Sequence, residues 1–437
     1  MDSCGLFLWK DIALDSKTLV IIIFVAMYFV MIFFSKFRVF AALGAALILI
    51  LTGVMTPLKA LSAINWNVLM MIAGTMVVVF YFIESKMPSR IADILMMKSK
   101  NVMWLIILIS LFSGIVSAFI DNVATVLMIA PVGLAICKKL DINPVSVIIS
   151  IAVSSNLQGA ATLVGDTTSI LLGGYAGMNF LDFFWFKGRP GMFFTVELGA
   201  GATVFIMMIL FRKYRQKVEM TEKTEVKDLV PSIMLSLIVV LLIAVSFIPD
   251  KPEMINGIIC MSIGIITILQ DYIRHRDAQK VKAAIKDIDR ETLLLLLGIF
   301  IVVQSLTETG LIEDMARGII SVGKGSIFML FTVIVWASVL ISAFVDNIPY
   351  VATMLPVVRA ICAALGMEPY LLYFGLLTGA TLGGNLTPVG ASANITATGI
   401  LKKEGYEVKF KDFAKIGIPF TLTAVTVGYL FVWFVWR

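Results

Sequence analysis

The sequence predicts an all-α polytopic membrane protein built from two inverted-topology repeats, each with five spans, one of them broken, plus a re-entrant helical hairpin. Composition supplies the membrane: 59% of the 437 residues are hydrophobic and 15% charged, with a mean hydropathy of +0.98, far from a soluble domain. Repetition supplies the two units. Residues 117–131 read SAFIDNVATVLMIAP and residues 342–356 read SAFVDNIPYVATMLP, identical at seven of fifteen positions and displaced by 225. The placement of basic residues supplies the inversion.

About 20 apolar residues cross a bilayer as a helix, and at least ten segments of this chain qualify. In the first unit, residues 17–212, the spans fall at 18–34, 40–55, 67–83 and 192–211, with a hairpin at about 101–139 and a broken helix at about 144–176. The first span is too long for a secretory signal and lacks a small-residue cleavage site, so it is read as retained. A cytoplasmic linker is expected at 213–229. The second unit, 230–437, repeats the pattern with spans at 230–248, 256–273, 291–306 and 418–436, a hairpin at about 326–364 and a broken helix at about 369–401.

Residues 104–139 fit either two spans or one hairpin that enters and leaves on the same side, and the charges decide. A hairpin leaves five crossings per unit, an odd number that inverts the second copy. The basic clusters at 212–227, 274–290 and 402–415 then share one face with Lys36, Arg38, Lys98, Lys100, Lys138 and Lys139. Under the positive-inside rule that face is cytoplasmic, and both termini lie outside a plasma (inner) membrane. The net charge of +6 is therefore a topology signal, and no nucleic-acid partner is expected.

Enzyme chemistry finds little support. Cys4, Cys137, Cys260 and Cys362 form no CxxC pair, and the single histidine, His275, lies in the solvated run RHRDAQKVK. Neither a zinc site nor a Ser-His-Asp triad can be assembled from these. An intramembrane aspartyl protease of GxGD type would need glycine where Leu163 stands. No cofactor is expected beyond coupling ions.

The informative residues are polar groups at membrane depth. Non-helical backbone is tolerated there only where it is buried in protein or lines a wet cavity. An Asp in such a place costs about 3 kcal/mol unless it is paired, protonated or bound to a cation. Asp121-Asn122 and Asp346-Asn347, at the two hairpin tips, are thus site candidates, although each carboxylate also suits a helix N-cap. A second element in each half holds Asn156, Gly159, Thr162, Gly165, Asp166, Thr168 and Ser169 in one copy, and Asn385, Thr387, Gly390, Ser392 and Asn394 in the other.

Closely spaced glycines break a helix and expose backbone groups, while Thr, Ser and Asn add short oxygen ligands. The small residues also suit close helix packing. Sodium wants oxygen donors, with Asp121, Asp166 and Asp346 as candidate ligands, and helix N-termini suit anions. Asp166 is replaced by Ala391 in the second copy. The acidic equipment is then three carboxylates, with Asp166 the candidate proton- or cation-linked group; Glu197 is a further ionisable residue within a span. No Lys or Arg falls inside these elements, so no fixed positive charge is expected at the site.

The paired DN tips and the segments GAATLVGDTTS and GGNLTPVGASAN resemble the ion transporter superfamily, in the branch holding the ArsB and NhaD-type permeases and the melanosomal P protein. The resemblance covers essentially the whole chain. GASANITATGILKKEGY is most similar to the P-protein group, and VGDTTSILL to the NhaD-type sodium/proton antiporters. It implies functional roles for Asp121, Asn122, Asn156, Asp166, Thr168, Ser169, Asp346, Ser392 and Asn394, and a homodimer whose transport domain moves against a scaffold.

The expected activity is secondary active transport, with antiport of sodium against protons the leading form. Its rival is a cation-coupled carrier of an anion, arsenite or a di- or tricarboxylate. Paired broken hairpins suit alternating access better than a channel. The partners are then a small inorganic ion or organic anion and the lipid bilayer.

Overall fold

A computed structural model describes residues 15–216 and 224–437. Cys4 and parts of the 212–227 cluster and the 213–229 linker lie outside the described residues. The first half holds α1 (Ser16–Phe33), α2 (Arg38–Leu51), α3 (Pro57–Ala63), α4 (Trp66–Glu84), α5 (Met87–Lys98), α6 (Val102–Ser117), α7 (Asn122–Lys139), α8 (Val145–Gly159), α9 (Thr167–Ala176) and α10 (Met192–Phe211). The second holds α11 (Val230–Ser246), α12 (Ile255–His275), α13 (Ala278–Asp287), α14 (Arg290–Glu308), α15 (Leu311–Gly323), α16 (Ile327–Ser342), α17 (Asn347–Leu365), α18 (Tyr370–Gly383), α19 (Ser392–Lys403) and α20 (Phe410–Trp436). A tight ribbon of β1 (Trp185–Phe186) and β2 (Arg189–Pro190) interrupts the helices before α10.

Local sequence explains where these helices begin. Asn65, Asn101, Asp121, Asp289, Ser326 and Asp346 each accept a first-turn backbone N–H through the side chain, the bonding that makes short polar residues good N-caps. Most of the apolar runs behind them are long enough to span. Eight helices among the described residues are long and apolar enough to cross a membrane, or nine if α15 and α16, bent by 114°, count as one. The expectation of at least ten is corrected: α2 at 14 residues, α8 at 15 and α11 at 17 fall short, while α7 and α17, expected as hairpin arms, are long enough. At about 1.5 Å per residue α2 is roughly 21 Å long, less than a hydrocarbon core.

The two halves interlock through exchanged helices. α4 packs along α12 while α2 packs along α14, and the closing helices α10 and α20 lie against each other. Small residues make these crossings close. A Cβ on Gly74 would sit 2.2 Å from the Cys260 backbone, and one on Gly298 would sit 2.7 Å from the backbone of Ala42. Such contacts exclude any side chain and are how apolar helices pack tightly in lipid.

At the centre stand α8 and α18. Residues 147–159 and 371–383 are buried without interruption, so neither helix has a lipid face. α6 and α16 flank them, and each hairpin folds back to start α7 and α17. Both α8 and α18 stop at a glycine, α18 running on into a 3-10 turn at Gly384–Leu386, and α-helix resumes only at Thr167 and Ser392. The breaks and the hairpin tips meet in the middle of the protein.

Candidate functional site

Each tip and each break is organised by the same bonds. Ser117 donates to Asn122 Oδ1 at 2.7 Å, and Ser342 donates to Asn347 Oδ1 at 2.5 Å. Thr162 donates to the Ala118 carbonyl, and Thr387 to the Ala343 carbonyl. Gly165 and Gly390 sit where three backbone carbonyls converge. A Cβ on Gly165 would lie 2.5–2.6 Å from the oxygens of Gly159, Ala118 and Ser117, and one on Gly390 would lie 2.6–2.9 Å from those of Gly384, Ala343 and Ser342. Glycine is required at both positions by close approach.

The halves are joined by amides. Asn156 accepts from Asn122 Nδ2 at 3.2 Å and donates both to the Thr381 carbonyl at 2.8 Å and to Asn385 Oδ1 at 3.1 Å. Asn385 returns a bond to the Val153 carbonyl at 3.0 Å. Thr168 bonds Asp166 Oδ2 at 2.8 Å and meets the Thr381 hydroxyl at 3.0 Å. Asn394 donates to the carbonyls of Gly384 and Thr387. All these side chains are buried, and a buried amide network with its partners in place specifies one geometry. Two oxygens there, Ser169 Oγ and Asn394 Oδ1, have no hydrogen-bond partner among the described residues.

These elements surround a cavity of about 40 Å³ lined by Asp121, Asn122, Asn156, Asp166, Asp346, Asn347 and Ser392 among others. Of the residues expected from sequence, these seven face it. Gly159, Thr162, Gly165, Thr168, Ser169, Asn385, Thr387, Gly390 and Asn394 stand behind them, shaping the breaks. Glu197, half-buried on α10, does not line it. Asp121 and Asp346 both cap the helix that follows: Asp121 Oδ1 accepts from Val123 and Ala124, and Asp346 Oδ1 from Ile348. Capping occupies one oxygen of each carboxylate; Oδ2 of Asp121 is left for the site, while Oδ2 of Asp346 is taken by Arg38 and Ser392.

Two expectations are corrected. The carboxylates at the cavity number four, because Asp289, the N-cap of α14, lines it together with Thr292 and Met76. A fixed positive charge is also present. Arg38, at the start of α2, places Nη1 3.0 Å from Asp346 Oδ2 and Nη2 3.8 Å from Glu291 Oε2. The sequence placed Arg38 and Asp289 in charged loops, and only the fold carries those loops to the tip of the second hairpin. No group of three His, Cys, Asp or Glu side chains that could hold a metal ion occurs among the described residues. Any cation here would therefore draw on carbonyl and hydroxyl oxygens as well as carboxylates.

The ion pair makes a testable prediction. Arg38→Gln leaves the Asp346 carboxylate with Ser392 at 3.1 Å and its own cap bond from Ile348 at 3.1 Å and, for this partly exposed pair, costs about 1–2 kcal/mol. Adding Asp346→Asn recovers most of that. Thermal unfolding of the purified single and double variants reads the difference, and a double variant no more stable than the single one would remove the pair from the account.

The cavity is also where helices begin. Asn122 and Val123 open α7, Thr167 opens α9, Asn347 and Ile348 open α17, and Ser392 and Ala393 open α19, all lining one space. Helix N-termini carry positive partial charge. Neither Asp166 at the start of α9 nor Ala391 at the start of α19 makes a side-chain cap bond.

Broken helices that start at a central polar cavity, within a nearly all-helical membrane fold, define a secondary transporter. The chain belongs to the citrate transporter family, whose model matches residues 20–358 and, in a second overlapping match, 254–437. It is 30% identical over 387 residues to a 46 kDa membrane protein of Mycobacterium leprae, covering 85% of this chain and 87% of that one. An uncharacterised transporter of Mycobacterium tuberculosis is 30% identical over 379 residues, covering 85% and 86%. The human P protein is 24% identical over 443 residues, 84% of this chain but 53% of that protein. In fold the chain is similar to the crystal structure of the Alcanivorax borkumensis YdaH transporter, with a TM-score of 0.59 at 15% identity over 88% of this chain and 87% of that one.

Proposed function

We propose that this protein is a secondary active transporter of small carboxylate anions, citrate first among them, driven by coupled sodium ions or protons. The observation that carries the reading is the convergence of five helix N-termini, those of α7, α9, α14, α17 and α19, on one cavity, the starts of α9 and α19 without a side-chain cap. An anion with several carboxylates satisfies free N–H groups and the dipole ends together. Membership of the citrate transporter family supports the same class of substrate.

Coupling falls to the acids. Asp121, Asp166 and Asp289 have no basic partner among the described residues, in contrast to Asp346. The carbonyl triads at Gly165 and Gly390 offer further oxygens to a cation. The same carboxylates support a second reading, antiport of sodium against protons. It is favoured by the size of the cavity, about 40 Å³, which suits a bare ion or one or two waters rather than a tricarboxylate. In the first reading the cavity widens to admit substrate.

The two halves form inverted repeats in this proposal, with the basic loops cytoplasmic, both termini outside and the plasma (inner) membrane as location. The protein works as a homodimer in which the hairpins, breaks and closing helices move past α1, α2, α4, α11, α12 and α14.

Proteoliposomes with imposed sodium or proton gradients and labelled citrate test the function. Citrate uptake that needs the gradient is expected, and Asp166→Asn lowers it by about tenfold or more, the loss of one charged ligand. Sodium that collapses a pH gradient in the absence of any anion would instead establish antiport.

A further inference from the structure

A second and larger cavity, of about 330 Å³, lies along the same helices as the polar site. Three elements wall both spaces at successive turns. α9 gives Thr167 to the small cavity and Tyr175 to the large one; α14 gives Thr292, then Gln304 and Thr307; α17 gives Ile348, then Ala352 and Arg359. From Thr292 to Thr307 along α14 is about 22 Å at 1.5 Å per residue. The large cavity is therefore at the far end of α14 from the basic run that precedes Asp289, and α9, α14 and α17 run from one space to the other.

Its polar lining is rich in donors. No acidic residue lines it, and Arg359 has no carboxylate within ion-pair distance among the described residues. The guanidinium lies 5.8 Å from the centre of the Tyr175 ring. Asn65 uses its carbonyl oxygen to cap α4 through Val68 N–H at 3.1 Å, and its NH₂ donates to no group among the described residues. Beside the cavity, Glu308, the acid closest in sequence to these residues, is already held by Lys59 at 2.5 Å and by Gln304 at 3.3 Å. Gln304 Nε2 is committed to Glu308 and Thr307 Oγ1 to the Val303 carbonyl at 3.2 Å, so the donors that face the space are Arg359, the Tyr175 phenol and the Asn65 amide, and a guanidinium so flanked is the chemistry that recognises carboxylate.

We infer that the 330 Å³ cavity is a second substrate site, a vestibule that holds a small carboxylate anion on Arg359, Tyr175 and Asn65 before or after it occupies the polar cavity. This rests on the proposed anion transport and adds a place on the route where the substrate rests. Lipid phosphate shares the chemistry, and the experiment separates the two.

Thr307→Cys places a thiol in the cavity wall, while the native Cys137, Cys260 and Cys362 are buried. The purified full chain in nanodiscs of neutral lipid is treated with a charged thiol reagent across a range of citrate concentrations, and labelling of the peptide holding residue 307 is read by mass spectrometry. Citrate is expected to protect residue 307. In Arg359→Gln the half-protecting concentration rises about tenfold or more, as loss of a charge-assisted bond implies. Arg359→Lys recovers part of it, and in vesicles Arg359→Gln raises KM for uptake with kcat retained.

Protection that is absent, or indifferent to Arg359, overturns the vestibule while citrate uptake leaves the transport proposal standing. Protection without uptake does the reverse. Protection given only by nanodiscs containing phosphatidylglycerol, with citrate inert, makes this a lipid site and also overturns the inference.

Discussion

Asn156→Leu is expected to bring transport to background and to lower the unfolding temperature of the purified protein. The substitution keeps the branched shape of the side chain and removes three bonds at once. Asn122 Nδ2 loses its acceptor at 3.2 Å, while the Thr381 carbonyl and Asn385 Oδ1 lose their donors at 2.8 and 3.1 Å. Asn122, Asn156 and Asn385 are at most 6% exposed, so water cannot replace what is lost. An unsatisfied buried group costs about 1–3 kcal/mol, and even partial relaxation leaves about 3 kcal/mol for the set.

A cycle with Asn385→Leu separates this from generic core damage. Because the two amides bond one another, the double variant costs less than the sum of the singles by about 1 kcal/mol. Strict additivity, or uptake near wild type in Asn156→Leu, would show that the bridge between the halves is dispensable.

Gly165→Ala is the second large effect. The added methyl meets three backbone oxygens at 2.5–2.6 Å, none of which can rotate away, and the break between α8 and α9 has to move. Overpacking of a rigid core typically costs 1–3 kcal/mol, and this site belongs at about 3 kcal/mol or beyond. Gly201→Ala on α10 is the internal control, since a Cβ there has nothing within 4 Å and the helix gains propensity by up to about 1 kcal/mol. If transport in Gly165→Ala matches that in Gly201→Ala, the carbonyl triad is looser than the geometry requires.

Both predictions concern residues legible in the sequence, and the reason is duplication. Asp121, Asn156 and Gly165 stand out because polar or glycine residues recur 225 positions later within apolar runs, a pattern that lipid does not tolerate without a purpose. Arg38 and Asp289 carry no such signal. Each lies among other charges, where a solvated loop is the ordinary reading, and Asp289 has only Asn65 as its counterpart in the first half. The one local clue was an Asp at 289 shortly ahead of an apolar run, a favoured N-cap residue.

Helix lengths failed for a different reason. Hydropathy counts apolar residues but not the neighbours that shield a short helix such as α2, which lies against α14. Arg359 and Tyr175 were also out of reach, since nothing in the spacing of 175 and 359 brings them together.

The exchange of α4 and α12 bears on how the chain is made. Asn67 on α4 bonds the Gly257 amide at 2.7 Å, across 190 residues of sequence. At 5–20 residues per second, ribosomal synthesis of that interval takes about 10–40 s. For that time the newly inserted α4 presents its Gly74 groove to lipid or to the insertion machinery, with its own partner not yet translated. The first half therefore enters the bilayer as an incomplete body, and the nascent protein depends on whatever holds that groove until the second half arrives.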